Sequence, residues 1–273
     1  MRPDIDAVTA LVDRVAVQVV LPRFRELTAA DVREKAPGDL VTIVDTEAEA
    51  ALTAGLEEIL PGVPVVAEER TAAEPERLAL VDAPQAFVVD PLDGTSAFVE
   101  GSPDHAVMVA YLEHGEVLAG WICSPAHRRM LVAERGGGAW CDGTRLSRPA
   151  PGPLDQVRGT VTTGLMPPEV HDRIGRRVDD GVLGPGLVRR ARSWSGAEYS
   201  RLALGEQDAL VYWRTWPWDH APGAVIIREL GGVSRRFDGS DYRPGEVGEG
   251  VLVAADEGTF ERLHAALGLK DQA

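Results

Sequence analysis

Cysteine is nearly absent from this 273-residue chain: Cys123 and Cys141 are the only two, too few for a disulfide framework and, without nearby histidines, too few for a structural zinc site. The N-terminal stretch lacks an unbroken apolar run, because Asp4, Asp6, Asp13 and Arg14 interrupt it, which argues against a signal peptide or a membrane span. Positive charge is also scarce, with 28 Lys plus Arg against 43 Asp plus Glu and a formal charge of -15. A surface so acidic repels phosphate backbones, so nucleic acid is excluded as a general partner, and no membrane partner is expected. Internal repeats and low-complexity tracts are missing too. A reducing, cytoplasmic setting and ordinary globular folding are the expectation, the latter supported by 44% apolar residues.

Apolar residues recur at three- and four-residue spacing through Val8, Leu11, Val15, Val19 and Leu21, which predicts an amphipathic helix over about 6–24. A second helix is expected over 46–60, with Asp45 and Thr46 as cap candidates and Pro61 and Gly62 ending it. Short apolar runs at 64–67 and 86–89 read as buried strands, each delivering a carboxylate, Glu68 and Asp90, at its C-terminal end. Three strand-like runs within 105–134, punctuated at His114-Gly115 and Ser124-Pro125 and followed by a turn at Asp142-Gly143, predict an antiparallel meander. Three prolines within 147–153 mark the expected boundary between an N-terminal half, 1–146, and a C-terminal half, 147–273. In the second half, strands near 157–163 and 208–213 alternate with helices near 167–178, 196–204 and 219–230, an α/β pattern; Gly231 and Gly232 close the last of these, and a final helix over 257–267 looks like packing.

The most informative segment is Phe87-Val-Val-Asp90-Pro-Leu-Asp93-Gly94-Thr95-Ser96. An apolar strand ends in Asp90, Pro91 stops the sheet hydrogen bonding, and Asp93 follows three residues on, so both carboxylates can turn to one point. Two hard anions held that close need a cation. Gly94 and Thr95 permit a tight turn into a helix whose free N–H groups suit a phosphate oxygen. A lone Asp-Gly pair reads equally as a hairpin turn, but that does not explain an apolar strand terminating in Asp-Pro-Leu-Asp. Glu68 and Glu69 could form an ordinary charged loop, and Asp45 and Asp219 could each be a helix N-cap; neither cap role conflicts with a chemical one.

These residues resemble the inositol monophosphatase family. The Asp-Pro-hydrophobic-Asp-Gly-Thr pattern is complete at 90–95; Gly38-Asp39 through Thr42 to Asp45 lies upstream, Glu68-Glu69 between, and Trp218-Asp219 with Ala221-Pro-Gly-Ala and then Gly231-Gly232 downstream, in family order and spacing. The resemblance implies a layered α-β-α-β-α sandwich and a phosphomonoesterase using two to three Mg2+ ions. It implies that Glu68, Asp90 and the Leu92 carbonyl hold one ion, that Asp90, Asp93 and Asp219 hold a second, and that a third sits near Glu68 among waters. Oxygen-only ligands suit magnesium. Asp45 and Thr95 match the pair in which an aspartate orients a threonine hydroxyl against the attacking water, with Glu68 as a further catalytic group. Asp93, Gly94, Thr95, Ser96, Ser195, Tyr212 and Arg214 are the expected substrate contacts.

The departures concern the substrate. Tyr212 stands where the family's inositol-processing members carry a glutamate, Ser195 replaces a glycine, and Ser96 with Ala97 replaces a more typical pair; Ala67 stands where a glycine often precedes Glu68. The leading substrate is inositol 1-phosphate or a related polyol phosphate, with 3′-phosphoadenosine 5′-phosphate, fructose 1,6-bisphosphate and histidinol phosphate as alternatives, and a non-catalytic regulator on the same scaffold as the rival of another class. Trp213 and Arg214 would serve a flatter or more anionic substrate, and His220 reads either as an acid for the leaving group or as a packing residue. The resemblance further implies lithium sensitivity and a homodimer.

Overall fold

Period-two alternation of apolar side chains organises the molecule into layers. The computed structural model describes residues 1–36, 38–181 and 183–269. An antiparallel hairpin of β1 (Val32–Ala36) and β2 (Asp39–Thr42) stands apart from the two main sheets. The larger sheet has seven strands in chain order: β3 (Val65–Ala67), β4 (Ala86–Asp93), β5 (Ala106–Glu113), β6 (Glu116–Ser124), β7 (Arg129–Glu134), β8 (Gly138–Cys141) and β9 (Thr144–Arg145). Only β3 and β4 run parallel within it; the rest is the expected meander. The second sheet contains β10 (Gly159–Thr162), β11 (Leu187–Arg190), β12 (Ala209–Arg214), β13 (Val233–Arg236) and β14 (Glu249–Ala254), in the order β11-β10-β12-β14-β13.

On the larger sheet Phe87, Val89, Val107, Val109 and Trp121 face one way, toward α1 (Ile5–Val15) and α2 (Ile43–Ile59). Short helices α3 (Glu68–Ala73) and α4 (Thr95–Val99) follow β3 and β4, and α5 (Pro168–Asp179) follows β10. The alternate residues Met108 and Ile122 face the other way and pack with α6 (Ser195–Ala203) and α7 (Pro217–Glu229), as do Leu210, Tyr212, Val251 and Val253 of the smaller sheet. On that sheet's far side Val211 and Leu252 meet α5 and α8 (Glu257–Leu267). The layer order is therefore α-β-α-β-α, and each sheet is apolar on both faces because both are covered. Truncating a ring such as Phe87 to alanine in a core packed this closely costs about 3–5 kcal/mol.

Three boundaries differ from the sequence reading, each for a local reason. The first helix is regular only to Val15, then widens into a π-turn over Ala16–Val20 and tightens into a 3-10 turn at Leu21–Arg23, where Pro22 cannot supply an N–H. The second helix starts at Ile43, with Thr42 as its N-cap; Asp45 is the third residue of a reciprocal capping box rather than the cap. Likewise α7 begins at Pro217, so Asp219 sits in its first turn and is not its cap. Helix α7 lies hard against α6: a Cβ on Gly223 would fall 2.2 Å from the Tyr199 ring. That close approach fixes the position of Asp219 relative to the sheet. Among the described residues no helix is long and apolar enough to cross a membrane.

Candidate metal centre and active site

Strand β4 does not stop at Pro91. It continues to Asp93 through a register shift between Asp90 and Asp93, so the proline, which has no N–H to give, occupies the bulge. Asp90 Oδ1 accepts from the Leu92 N–H at 3.0 Å, and the irregularity turns Asp90 and Asp93 to the same side. Asp219 arrives from α7, and the three carboxylates each offer an oxygen within 4.8 Å of the others. At that spacing, and with an effective dielectric of about 20, each pair of like charges repels by about 3 kcal/mol.

Burial and mutual repulsion act in the same direction on these groups. Asp90 is held well above the usual carboxylate range by burial first and then by the charges of Glu68, Asp93 and Asp219. Burial also lifts Asp219, against the partial relief of Arg214, and raises Asp93 to about 6. Asp93 stays lower because the start of α6 clasps it: Ser195 Oγ donates at 2.7 Å, Ser195 N at 3.2 Å and Gly196 N at 2.9 Å. No lysine or arginine pairs with Asp90, Asp93 or Asp219 among the described residues. An all-oxygen, all-acid cluster of this kind fits a hard divalent cation, which would remove the repulsion it otherwise carries.

Beside the cluster stands a second device, a hydroxyl paired with a carboxylate. Thr95 Oγ1 lies 2.9 Å from Asp45 Oδ1 and 3.1 Å from the Leu92 carbonyl. Asp45 Oδ2 accepts from Thr42 Oγ1 at 2.6 Å and Thr42 N at 2.8 Å, so the aspartate is locked by its own helix cap. Burial pushes Asp45 up to about 6, while the hydrogen bonds from Thr42 and Thr95 restrain it. Gly94, which places Thr95, has φ of +80°, and a Cβ there would meet the Asp104 carbonyl at 2.8 Å, so only glycine fits.

Glu68 opens α3 at the end of β3, outside the three-carboxylate group. Its Oε1 pairs with Lys35 Nζ at 3.1 Å, and Glu69 Oε1 pairs with the same nitrogen at 2.8 Å. Burial opposes the Lys35 charge, yet Glu68 and Glu69 outweigh it and raise its pKa; Glu69, half-buried and beside Glu68, is pushed to about 7. Lys35 is absent from the sequence reading, although it is one of only two lysines in the chain and that scarcity is itself a signal. Glu49 is a second omission: it accepts from the N–H groups of Glu69 and Arg70 at 2.8 and 3.0 Å and so fixes the start of α3.

A cavity of about 660 Å³ brings together Glu68, Asp90, Leu92, Asp93, Gly94, Thr95, Ser96, Ser195, Tyr212, Arg214 and Asp219. Of the sequence-predicted residues only Asp45 lies behind the lining, reaching it through Thr95. Ser195 spends its hydroxyl on Asp93. Tyr212 is buried, and its hydroxyl lies near that of Ser193 without a hydrogen bond of good geometry among the described residues. Arg214 is exposed at the rim. His220 Nε2 lies 3.0 Å from the Arg214 carbonyl, which can only accept, so Nε2 carries the proton and Nδ1 accepts from Tyr199 at 3.1 Å. With both nitrogens engaged and burial pushing its pKa down to about 4, His220 is a neutral packing residue; of its two sequence readings the acid role is the one the geometry disfavours.

Comparison with known proteins gives a consistent result. The model of the inositol monophosphatase family matches residues 1–270. An inositol-1-monophosphatase from Mesorhizobium japonicum is 34% identical over 242 residues, covering 86% of this chain and 85% of that protein. A fructose-1,6-bisphosphatase/inositol-1-monophosphatase from Thermotoga maritima is 32% identical over 208 residues, 74% of this chain and 73% of that one. The solved structure of a Thermotoga maritima IMPase superposes with a TM-score of 0.79 over 98% of this chain and 96% of its own, at 23% identity, a likeness of fold.

Proposed function

The chain belongs to the inositol monophosphatase family of phosphoric monoester hydrolases, and we propose that it cleaves the phosphate ester of a small polyol, inositol 1-phosphate foremost, with two to three magnesium ions. The observation that carries this reading is the convergence of Asp90, Asp93 and Asp219 within 4.8 Å beside the Thr95–Asp45 hydrogen bond. Asp90, Asp93 and Asp219, with the Leu92 carbonyl and Glu68, would hold the ions. Magnesium there supplies charge neutralisation of the phosphoryl oxygens and lowers the pKa of water.

The protein's own groups then do the positioning and the proton transfer. Thr95 directs its proton at Asp45 and so turns a lone pair toward the cavity, where it accepts the proton of the attacking water while Asp45, raised to about 6, accepts that of Thr95. Ser195 and Gly196 hold Asp93 so that its orientation does not depend on the substrate. Gly94, Thr95 and Ser96 meet the phosphate. The Tyr212 ring lines the cavity, and its hydroxyl, buried in the unliganded protein, would hydrogen-bond the polyol once uncovered, with Arg214 at the rim. Lithium inhibition, a homodimer and a cytoplasmic location belong to the same reading; light scattering tests the dimer.

A panel of inositol 1-phosphate, fructose 1,6-bisphosphate, 3′-phosphoadenosine 5′-phosphate and histidinol phosphate, assayed by released phosphate at saturating magnesium, is the test. The highest kcat/KM is expected for inositol 1-phosphate. A different leader overturns the substrate assignment and leaves the chemistry standing.

A further inference from the structure

Far along α7 from Asp219, a second cavity of about 340 Å³ opens between the β5–β6 turn, the last turn of α7 and β13. It shares no lining residue with the carboxylate cavity. In a chain with a formal charge of -15, three arginines line it: Arg135, Arg228 and Arg243. The acids around them are already engaged. Glu116 pairs with Arg135, Asp241 pairs with Arg235 at 3.2 Å, and Glu229 accepts from the N–H groups of Gly136 and Gly138 at 2.9 Å each. Arg228 and Arg243 form no ion pair and no side-chain hydrogen bond among the described residues. Partial burial lowers the pKa of the Arg228 guanidinium and the neighbouring Arg135 charge lowers it further, while the charges of Glu116, Glu229 and Asp241 offset part of that. Two lining hydroxyls, Ser234 Oγ and Tyr242 Oη, are buried without hydrogen-bond partners among the described residues.

We propose that this cavity is a binding site for a phosphate dianion, free or at the end of a small ester, held by Arg228 and Arg243 with Ser234 as a hydroxyl donor. Two guanidinium forks present several N–H groups to a tetrahedral oxyanion, which a single carboxylate cannot match. The cavity is large enough for a phosphate bearing a small organic group; it is separate from the Asp90, Asp93 and Asp219 cluster, and the two carboxylates in its own lining, Glu116 and Asp241, are paired with Arg135 and Arg235. This inference does not depend on the identity of the substrate.

The test is calorimetric titration of the full-length chain in magnesium with inorganic phosphate and, separately, with phenylphosphonate, which no hydrolase step consumes. Asp93→Asn serves as the background in which the carboxylate cavity is disabled. Binding at one site per chain is expected to persist in Asp93→Asn and to weaken at least 10-fold when Arg228→Ala and Arg243→Ala are added. Ser234→Ala, a smaller change that spares the charges, should weaken it a few-fold with an unaltered circular dichroism melt. Tighter binding of phosphate than of phenylphosphonate assigns the free ion; the reverse assigns an ester. Absence of binding in the Asp93→Asn chain, or affinity unmoved by loss of both arginines, overturns the proposal.

Discussion

The two walls of the cavity at the carboxylate cluster are held in different ways. On the carboxylate wall Asp93 receives three hydrogen bonds from the start of α6, Asp90 is braced by the bulge it creates, and Asp45 is locked by Thr42. Across the cavity, the Tyr212 hydroxyl has no hydrogen bond of good geometry, Arg192 makes one long hydrogen bond, to the Gly38 carbonyl at 3.4 Å, and Arg214 forms no ion pair, all among the described residues. One wall is preorganised before anything binds; the other carries its polar groups in reserve. The contrast teaches that reaction chemistry and substrate choice are separable here, and that substitutions on the two walls should differ in kind as well as in size.

The largest effect is expected at Asp93. Asp93→Asn should lower kcat on the order of 10³-fold, equal to about 4 kcal/mol, while the metal-free chain melts at an equal or higher temperature because one repelling charge is gone. A near-normal rate would contradict its place in the cluster. Thr95→Ala comes next: removing the hydroxyl that links water to Asp45 should reduce kcat by about 10²-fold with KM little changed, read by steady-state kinetics at saturating magnesium. On the opposite wall Tyr212→Phe should act on KM instead, raising it about 5-fold for inositol 1-phosphate, roughly 1 kcal/mol, and leaving phenyl phosphate, which has no polyol hydroxyl, unaffected. If the tyrosine change lowers kcat as far as the threonine change does, the separation of the two walls fails.

The smallest effect is a pH dependence of stability. Asp45 and Asp93 are raised from 3.8 to about 6, so in the metal-free protein their favourable contribution is complete below about pH 3.8 and is lost as pH rises through about 6. A bound cation reverses that loss. The gain in melting temperature on adding magnesium should therefore grow by roughly a few degrees between pH 5 and pH 7.5, as followed by differential scanning fluorimetry. His105 and His220, both lowered from 6.5 to about 4 by burial, work the other way: their contribution is lost as pH falls from about 6.5 toward 4. That loss is common to both samples and cancels in the difference.

Much of the carboxylate wall was legible in the sequence because its signals are local. An apolar strand that ends in Asp90-Pro91-Leu92-Asp93-Gly94 has few ways to satisfy its charges, and the bulge follows from the proline. The reciprocal cap of α2 was legible in principle, as Thr42 and Asp45 have the spacing of a capping box, with the shorter Asp in place of Glu. Strands β1, β11 and β13 were not legible. Their residues are mostly exposed or half-buried, so no apolar alternation announces them, and β11 and β13 pair with strands well separated in the chain. Lys35 escaped because its partners are remote: the hairpin that carries it is local, but Glu68 and Glu69 lie more than thirty residues on in the chain. The lack of a well-formed hydrogen bond at the Tyr212 hydroxyl is likewise a tertiary fact, since the strand pattern places the ring but not its neighbours.

Anomalous diffraction from crystals equilibrated with manganese in place of magnesium tests the account at its centre. A peak is expected among the carboxylates of Asp90, Asp93 and Asp219, and it should vanish in Asp93→Asn. A chain that binds manganese elsewhere, or whose three carboxylates stay free of metal at saturating manganese, would contradict it.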